Sequence, residues 1–160
     1  MDPLPNSLPR RPRGPGDEWV YGENGEKFWG SFGAAGLLVW HRDLGILLQH
    51  RSLWSHFGGT WGLPGGALKP DEGAIAGAMR EANEEAGVDS ELLRVMFSTV
   101  LDRGVWTYTT IVAEAMVEFQ PVIGDAESVA LAWVALDDVA GLPLHPGFEA
   151  TWVDLRSRLL

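Results

Sequence analysis

Between Asp71 and Ala86 the sequence reads DEGAIAGAMREANEEA. The spacing predicts one helix, closed by Gly87. Two properties of this helix constrain the rest of the chain. Its small side, formed by Ala74, Ala76, Gly77, Ala78, Ala82 and Ala86, lets the backbone approach a sheet closely. Gly73 and Gly77 would each cost about 1 kcal/mol in an exposed helix interior, so close packing is expected to offset them. Its acidic side sets Glu81, Glu84 and Glu85 three and four residues apart, on one face. Like charges at those spacings destabilise a helix by roughly a few tenths of a kcal/mol per pair. Arg80 precedes Glu84 by four residues, and no Lys occurs from position 71 to 92. Two readings compete: a solvated acidic face, or a site for a divalent cation. Mg2+ takes a few carboxylates, several waters and phosphate oxygens. The preceding LPGGALKPDE favours the second reading, because its glycines permit close backbone approach.

The other segments place this helix in a sheet protein. GAAGLLVWH (33–41) and GILLQHR (45–51) read as strands joined by the turn RDLG. LLRVMFSTVLD and VWTYTTIVAEAMVEF form another pair around Arg103-Gly104, the second with alternating faces. ENGEK (23–27) carries a hairpin signal. SLWSHFGGTWGLPGG and GDAESVA read as loops, LAWVAL as a strand and DDVAGL as a short helical turn. From Pro146 a terminal helix is predicted, with Phe148, Trp152, Leu155 and Leu159 on one apolar face. The expected class is α/β, with a central mixed β-sheet between helices.

The chain has 160 residues, which suits one domain. Residues 1–15, rich in Pro and Arg, are expected to be a flexible tail, and residues 16–160 the domain. Arg10, Arg11 and Arg13 read as a solvated basic tail rather than a phosphate contact. There is no cysteine, so no disulfide framework and no thiol chemistry. No apolar run approaches 18 residues, and the N-terminus lacks the apolar centre of a signal peptide, so a cytoplasmic protein without a membrane partner is expected. The net charge of −10 opposes an extended nucleic-acid surface. It does not oppose phosphate binding through a cation.

The run from Gly66 to Val88 also resembles the Nudix box, G-x5-E-x7-R-E-U-x-E-E-x-G-U, where U is apolar. Gly66, Glu72, Arg80, Glu81, Glu84, Glu85, Gly87 and Val88 stand at its fixed positions, with Ala82 a small choice for its apolar one. GAAGLLVW, QHRSLWSHFGGTWGLPGG and LPLHPGF further resemble segments of actinobacterial MutT-like proteins. The resemblance implies a Nudix-type α/β/α sandwich and a pyrophosphohydrolase that uses Mg2+ or Mn2+. By position, Glu81, Glu84, Glu85 and the Gly66 carbonyl would ligate metal, and Glu72 and Arg80 would orient that cluster. A further carboxylate often comes from a loop. Glu127, six residues before Trp133, is the candidate as ligand or general base, with Asp125 as runner-up.

For the nucleotide, the resemblance suggests Arg51 and Leu63. Trp61, with Trp54, His56 and Phe57, could stack on a purine, or pack in the core. His145 and Phe148 could close the pocket; a cap or surface role is the alternative for His145. His41 and His50 read as structural. The implied reaction turns a nucleoside triphosphate into a monophosphate and pyrophosphate by attack at the β-phosphorus, with oxidised purine nucleotides such as 8-oxo-dGTP as candidate substrates. Nucleoside diphosphates, ADP-ribose and 5'-triphosphate RNA are alternatives, as is a metabolite sensor without catalysis. A monomer and a homodimer are both compatible with the sequence.

Overall fold

A computed structural model describes residues 13–159. Most of the expected tail, including Arg10 and Arg11, lies outside the described residues. The strands are β1 (Trp19–Tyr21), β2 (Lys27–Trp29), β3 (Ala34–His41), β4 (Gly45–Arg51), β5 (Trp61–Gly62), β6 (Gly65–Ala67), β7 (Leu93–Asp102), β8 (Thr107–Ala115) and β9 (Ser128–Val134). The helices are α1 (Ala74–Ala86) and α2 (Pro146–Leu159). Short 3-10 turns cover Ser90–Leu92 and Leu136–Gly141. β1 and β2 form the expected hairpin, which stands as a separate two-stranded sheet.

The main sheet is mixed. β3 runs parallel to β8 from Ala34↔Tyr108 to Trp40↔Glu114. Its other strand-to-strand pairings are antiparallel, and one isolated parallel bridge joins Trp61 to Leu144. β3 and β4 pair only near their connecting turn, at Trp40↔Ile46 and His41↔Gly45. Beyond that they separate. β6 takes over the edge of β3 at Ala34, Ala35 and Gly36, while β5 takes β4 at Gln49 and His50. The segment from Trp61 to Ala67 therefore fills a wedge between two halves of one sheet. Pro64, at its centre, accepts a hydrogen bond from Leu37 N at 2.9 Å.

One helix covers each face. α1 lays Ala78, Ala82 and Ala86 on Leu37, Val39, Leu47 and Ile111. α2 presents Phe148, Trp152, Leu155 and Leu159 to Leu38, Ile46, Leu48 and Val112. Burial of each large α2 side chain stabilises the fold by roughly 1.5–3 kcal/mol. The small α1 residues contribute less area. Their effect is to bring the helix backbone, and its carboxylates, close to β3 and β6.

Several boundaries differ from the sequence reading. α1 starts at Ala74 and not Asp71, because Asp71 has a φ of 61° and Gly73 is an extended N-cap. Gly73 is thus outside the helix interior, and the cost assigned to it there does not arise. Gly77 does face the sheet side, where a Cβ would run into Leu68. β5 and β6 fall in a segment read as loop; strands of two and three residues depend on remote partners, which no local pattern reveals. β9 begins at Ser128, inside the expected loop, because Arg51 pairs with it across a bulge. β8 ends at Ala115 rather than Phe119. Its alternation does not give a wet face, because a helix covers each side: Ile111 and Ala113 join the α1 cluster and Val112 the α2 cluster, and Thr110–Ala115 are all buried.

Candidate active site

The last two turns of α1 carry the candidate site. Glu81 and Glu85 are buried, at 4% and 2% exposure, while the Glu84 side chain is about one-third exposed. α1 has no basic residue in its last turn. Its carboxylates thus gather where the helix dipole is partly negative, which is unfavourable for anions. Gly87 closes the helix with a φ of 66°, donating to Asn83 O.

The backbone of β6 lies directly against these carboxylates. Gly65 N donates to Glu85 Oε2 at 2.8 Å. A Cβ on Gly66 would sit 2.7 Å from the carboxyl carbon of Glu81, so a side chain there would displace the Glu81 carboxylate. Arg80 organises the other side. Its Nε and Nη2 form a fork on Glu72, both at 2.8 Å, and Nη1 reaches Glu81 at 2.8 Å and Glu84 at 3.3 Å. The Arg80 hydrogen bond holds the Glu72 carboxyl below its usual range despite partial burial. One guanidinium thus faces three carboxylates, while Glu85 is buried beside them. The side chains suit a hard divalent cation: clustered carboxylate oxygens with partial solvent access at Glu84.

The loop before β9 is tied to the same helix end. Val122 N donates to Ala86 O at 2.9 Å and Gly124 N to Glu85 O at 3.1 Å. Further on, Ser52 N donates to Glu127 O at 2.9 Å. Glu127 N donates to Asp125 Oδ1, fixing a local turn. This loop therefore runs from the carboxylate end of α1 to the end of β4. Asp125 is buried, whereas Glu127 is half-buried.

Arg51, at the end of β4, donates through Nε and Nη2 to His56 O, at 3.0 and 2.9 Å, and so secures the 52–60 loop. In that loop Phe57 has a φ of 56°, strained for a bulky residue, and its ring is 44% exposed. Phe57 meets His145 edge to face at 4.9 Å. Trp61 stacks on His50 at 4.5 Å, which accounts for His50 as a packing residue. Leu63 is buried in the wedge. Phe148 is 6% exposed, and its ring belongs to the core beside Trp152 rather than to an open pocket. Burial, then the charges of Arg51 and His56, lower the His145 pKa to about 4.

The contact between Gly36 and Tyr108 is not evident from the sequence. Gly36 lies in mid-β3, and a Cβ there would collide with the Tyr108 hydroxyl. Burial first, and the nearby Glu85 charge second, push the pKa of that hydroxyl up, so it remains a proton donor. An isolated glycine inside a strand pattern was the available signal.

A second group, His41, Asp43 and Glu118, brings ligand atoms within 4.8 Å of one another, close enough to share a cation. His41 ends β3, at the opposite end from Gly65 and Gly66. Its Nδ1 already accepts from Asp43 N at 3.1 Å, which leaves the proton on Nε2. That tautomer opposes metal ligation.

Comparison with known proteins accords with this architecture. The family model described as NUDIX domain matches residues 31–155. A Mycobacterium tuberculosis protein named "Putative 8-oxo-dGTP diphosphatase 3" is 47% identical over 167 residues, covering 98% of this chain and 76% of that protein. A Bifidobacterium longum "Nucleoside triphosphate pyrophosphatase/Nudix hydrolase fusion protein" is 40% identical over 153 residues, covering 91% of this chain and 32% of its own. The crystal structure of RenU, a Nudix hydrolase from M. smegmatis, has a TM-score of 0.81 and 46% identity, covering 90% of this chain and 95% of that one. The split mixed sheet, its two helical layers and the Gly66–Val88 motif thus share one explanation: the chain belongs to the Nudix hydrolase family.

Proposed function

We propose that this Nudix pyrophosphohydrolase is divalent-metal-dependent and cleaves nucleoside triphosphates to a monophosphate and pyrophosphate, with oxidised purine nucleotides among its substrates. The observation that carries this reading is the burial of Glu81 and Glu85 against the Gly65-Gly66 backbone at the electronegative end of α1. Such a cluster is costly by itself and suits a cation that also holds phosphates. The name of the M. tuberculosis relative supports the choice of 8-oxo-dGTP as first substrate.

In this reading Glu81, Glu84, Glu85, Glu127 and the Gly66 carbonyl would hold Mg2+ or Mn2+. A bound divalent cation neutralises phosphate oxygens and acidifies a water. Glu72 and Arg80 keep the carboxylates in place. Glu127 accepts the proton of the attacking water, and Asp125 holds the turn behind it. The new bond joins the water oxygen to the β-phosphorus. The bond from that phosphorus to the α–β bridging oxygen breaks, and the monophosphate departs. Arg51, Trp61, Leu63 and His145 line the nucleotide end, while Phe148 packs in the core. Residues 16–160 act as one catalytic domain, and the partner is a small-molecule nucleotide. Among the described residues no helix is long and apolar enough to cross a membrane.

Chromatographic product analysis tests the reading. The protein is incubated with Mg2+ and, separately, 8-oxo-dGTP, canonical tri- and diphosphates, ADP-ribose or a 5'-triphosphate RNA. Monophosphate plus pyrophosphate from a triphosphate is the expected result. Cleavage confined to ADP-ribose or diphosphates would reject the triphosphate assignment, and binding without cleavage would indicate a sensor.

A further inference from the structure

His145 is held more tightly than a surface histidine before a proline needs to be. Its N donates to Trp61 O at 2.8 Å, and Trp61 N donates to Pro143 O at 2.8 Å. Its ring lies over two glycines. A Cβ on Gly62 would be 3.3 Å from the His145 Cβ, and one on Gly147 would be 3.3 Å from both Nδ1 and Cε1. Gly147 N donates to Nδ1 at 3.0 Å. A neutral imidazole carries one proton, so Nδ1 as acceptor places it on Nε2. The ring thus has one defined donor. Beside it stands the half-exposed Phe57 ring, 4.9 Å away, on a backbone kept at positive φ by a loop that Arg51 clamps.

A donor beside an accessible aromatic face is what a nucleobase offers contacts to: an edge and a π-surface. The position along the chain fits as well. Trp61 is bonded to His145, and Gly65 is bonded to Glu85. Four residues of extended chain span at most about 14 Å. A base at His145 and a diphosphate at Glu85 are therefore separated by a length that a sugar and an α-phosphate bridge.

We propose that His145 is a specificity-determining residue whose Nε2–H donates to a carbonyl on the base edge, with Phe57 against the base, so that 6-oxopurines are selected over adenine. Guanine and hypoxanthine present an O6 acceptor, whereas adenine presents an N6 amino donor there. A donor that cannot become an acceptor without losing its Gly147 bond pairs with the first and repels the second. This inference rests on the nucleotide hydrolase reading for its biological meaning, but its test can be separated from it.

The experiment compares ITP with ATP as substrates, and IMP with AMP as ligands in equilibrium binding, for wild type, His145→Phe and His145→Gln. Circular dichroism and thermal melting check folding. Phe keeps a ring without a donor; Gln returns an amide N–H at similar reach. Wild type is expected to favour the oxo base by about 10-fold or more, a ratio that falls close to one in His145→Phe and recovers in part in His145→Gln. Equal binding of IMP and AMP by wild type, or an unchanged ratio in a folded His145→Phe, overturns the proposal. The binding arm does not depend on turnover. If IMP is favoured through His145 while no triphosphate is cleaved, base selection stands and the catalytic reading falls. If triphosphates are cleaved without base preference, the reverse holds.

Discussion

Arg80 shows how much of this site is decided by single residues. Its guanidinium donates to Glu72, Glu81, Glu84 and the Ala67 carbonyl, so it ties α1 to β6 and to the turn before the helix. Replacing Glu72 with Gln leaves a partly buried cation with a weakened fork. We expect a loss of about 1–3 kcal/mol in denaturant unfolding, with a fall in turnover as the carboxylates lose their brace. His145 yields a pH prediction. Its folded pKa of about 4 lies below the ordinary value of 6.5, because burial, and then the Arg51 and His56 charges, disfavour the imidazolium. Between those values the unfolded chain takes up a proton that the folded chain refuses. This contribution is complete above pH 6.5, declines as pH falls toward 4, and amounts to at most about 3 kcal/mol. Unfolding at pH 7.5 and 4.5 should show a smaller pH-dependent loss in His145→Gln than in wild type; equal losses would reject the assignment. The residue identities at the helix end were legible, because fixed spacings carry their own geometry. The Gly147 bond to Nδ1 and the collision space at Gly36 were not, because they depend on residues remote in sequence or on backbone direction.

The elements divide the work unequally. α2 holds the fold with large side chains, and its face was readable from the four-three-four spacing of Phe148, Trp152, Leu155 and Leu159. Truncating Trp152 to Ala should cost about 3–5 kcal/mol. α1 instead gives up side-chain volume to place carboxylates near backbone. Its loop partner, residues 122–127, depends on Gly124, where a Cβ would collide with Glu84 O. Gly124→Ala should therefore push that loop off α1, move Glu127 and lower kcat, at a stability cost of about 1–3 kcal/mol. Gly73→Ser is the contrasting case. Nothing lies within 4 Å of a Cβ there, and a serine N-cap should add a few tenths of a kcal/mol, roughly, with kinetics unchanged. Thermal melts and steady-state kinetics on the two variants distinguish a steric clamp from a generally intolerant helix. The sequence pattern could not separate these glycines: each adjoins an acidic residue with an alanine within two positions, and only the neighbouring carbonyl makes one indispensable.

At the scale of the molecule, the parting of β3 and β4 produces the site. The wedge between them admits Trp61–Ala67, which carries Trp61 toward His145 at one end and Gly65 and Gly66 toward Glu85 and Glu81 at the other. The long strands were legible as apolar runs, and the class of fold followed from them. The wedge was not, since LPGG reads as a loop until its partners on β3 and β4 are known. As proposed, the buried carboxylates of α1 form a cation site for diphosphate hydrolysis. The most direct test is a Mg2+ titration of triphosphate hydrolysis, with products resolved by phosphorus NMR, in wild type and Glu85→Gln. No turnover in EDTA, saturable activation by Mg2+ with release of pyrophosphate, and a loss of at least about 100-fold in a folded Glu85→Gln variant are the expected results. Metal-independent turnover, or full activity in that variant, would contradict the cation-site assignment.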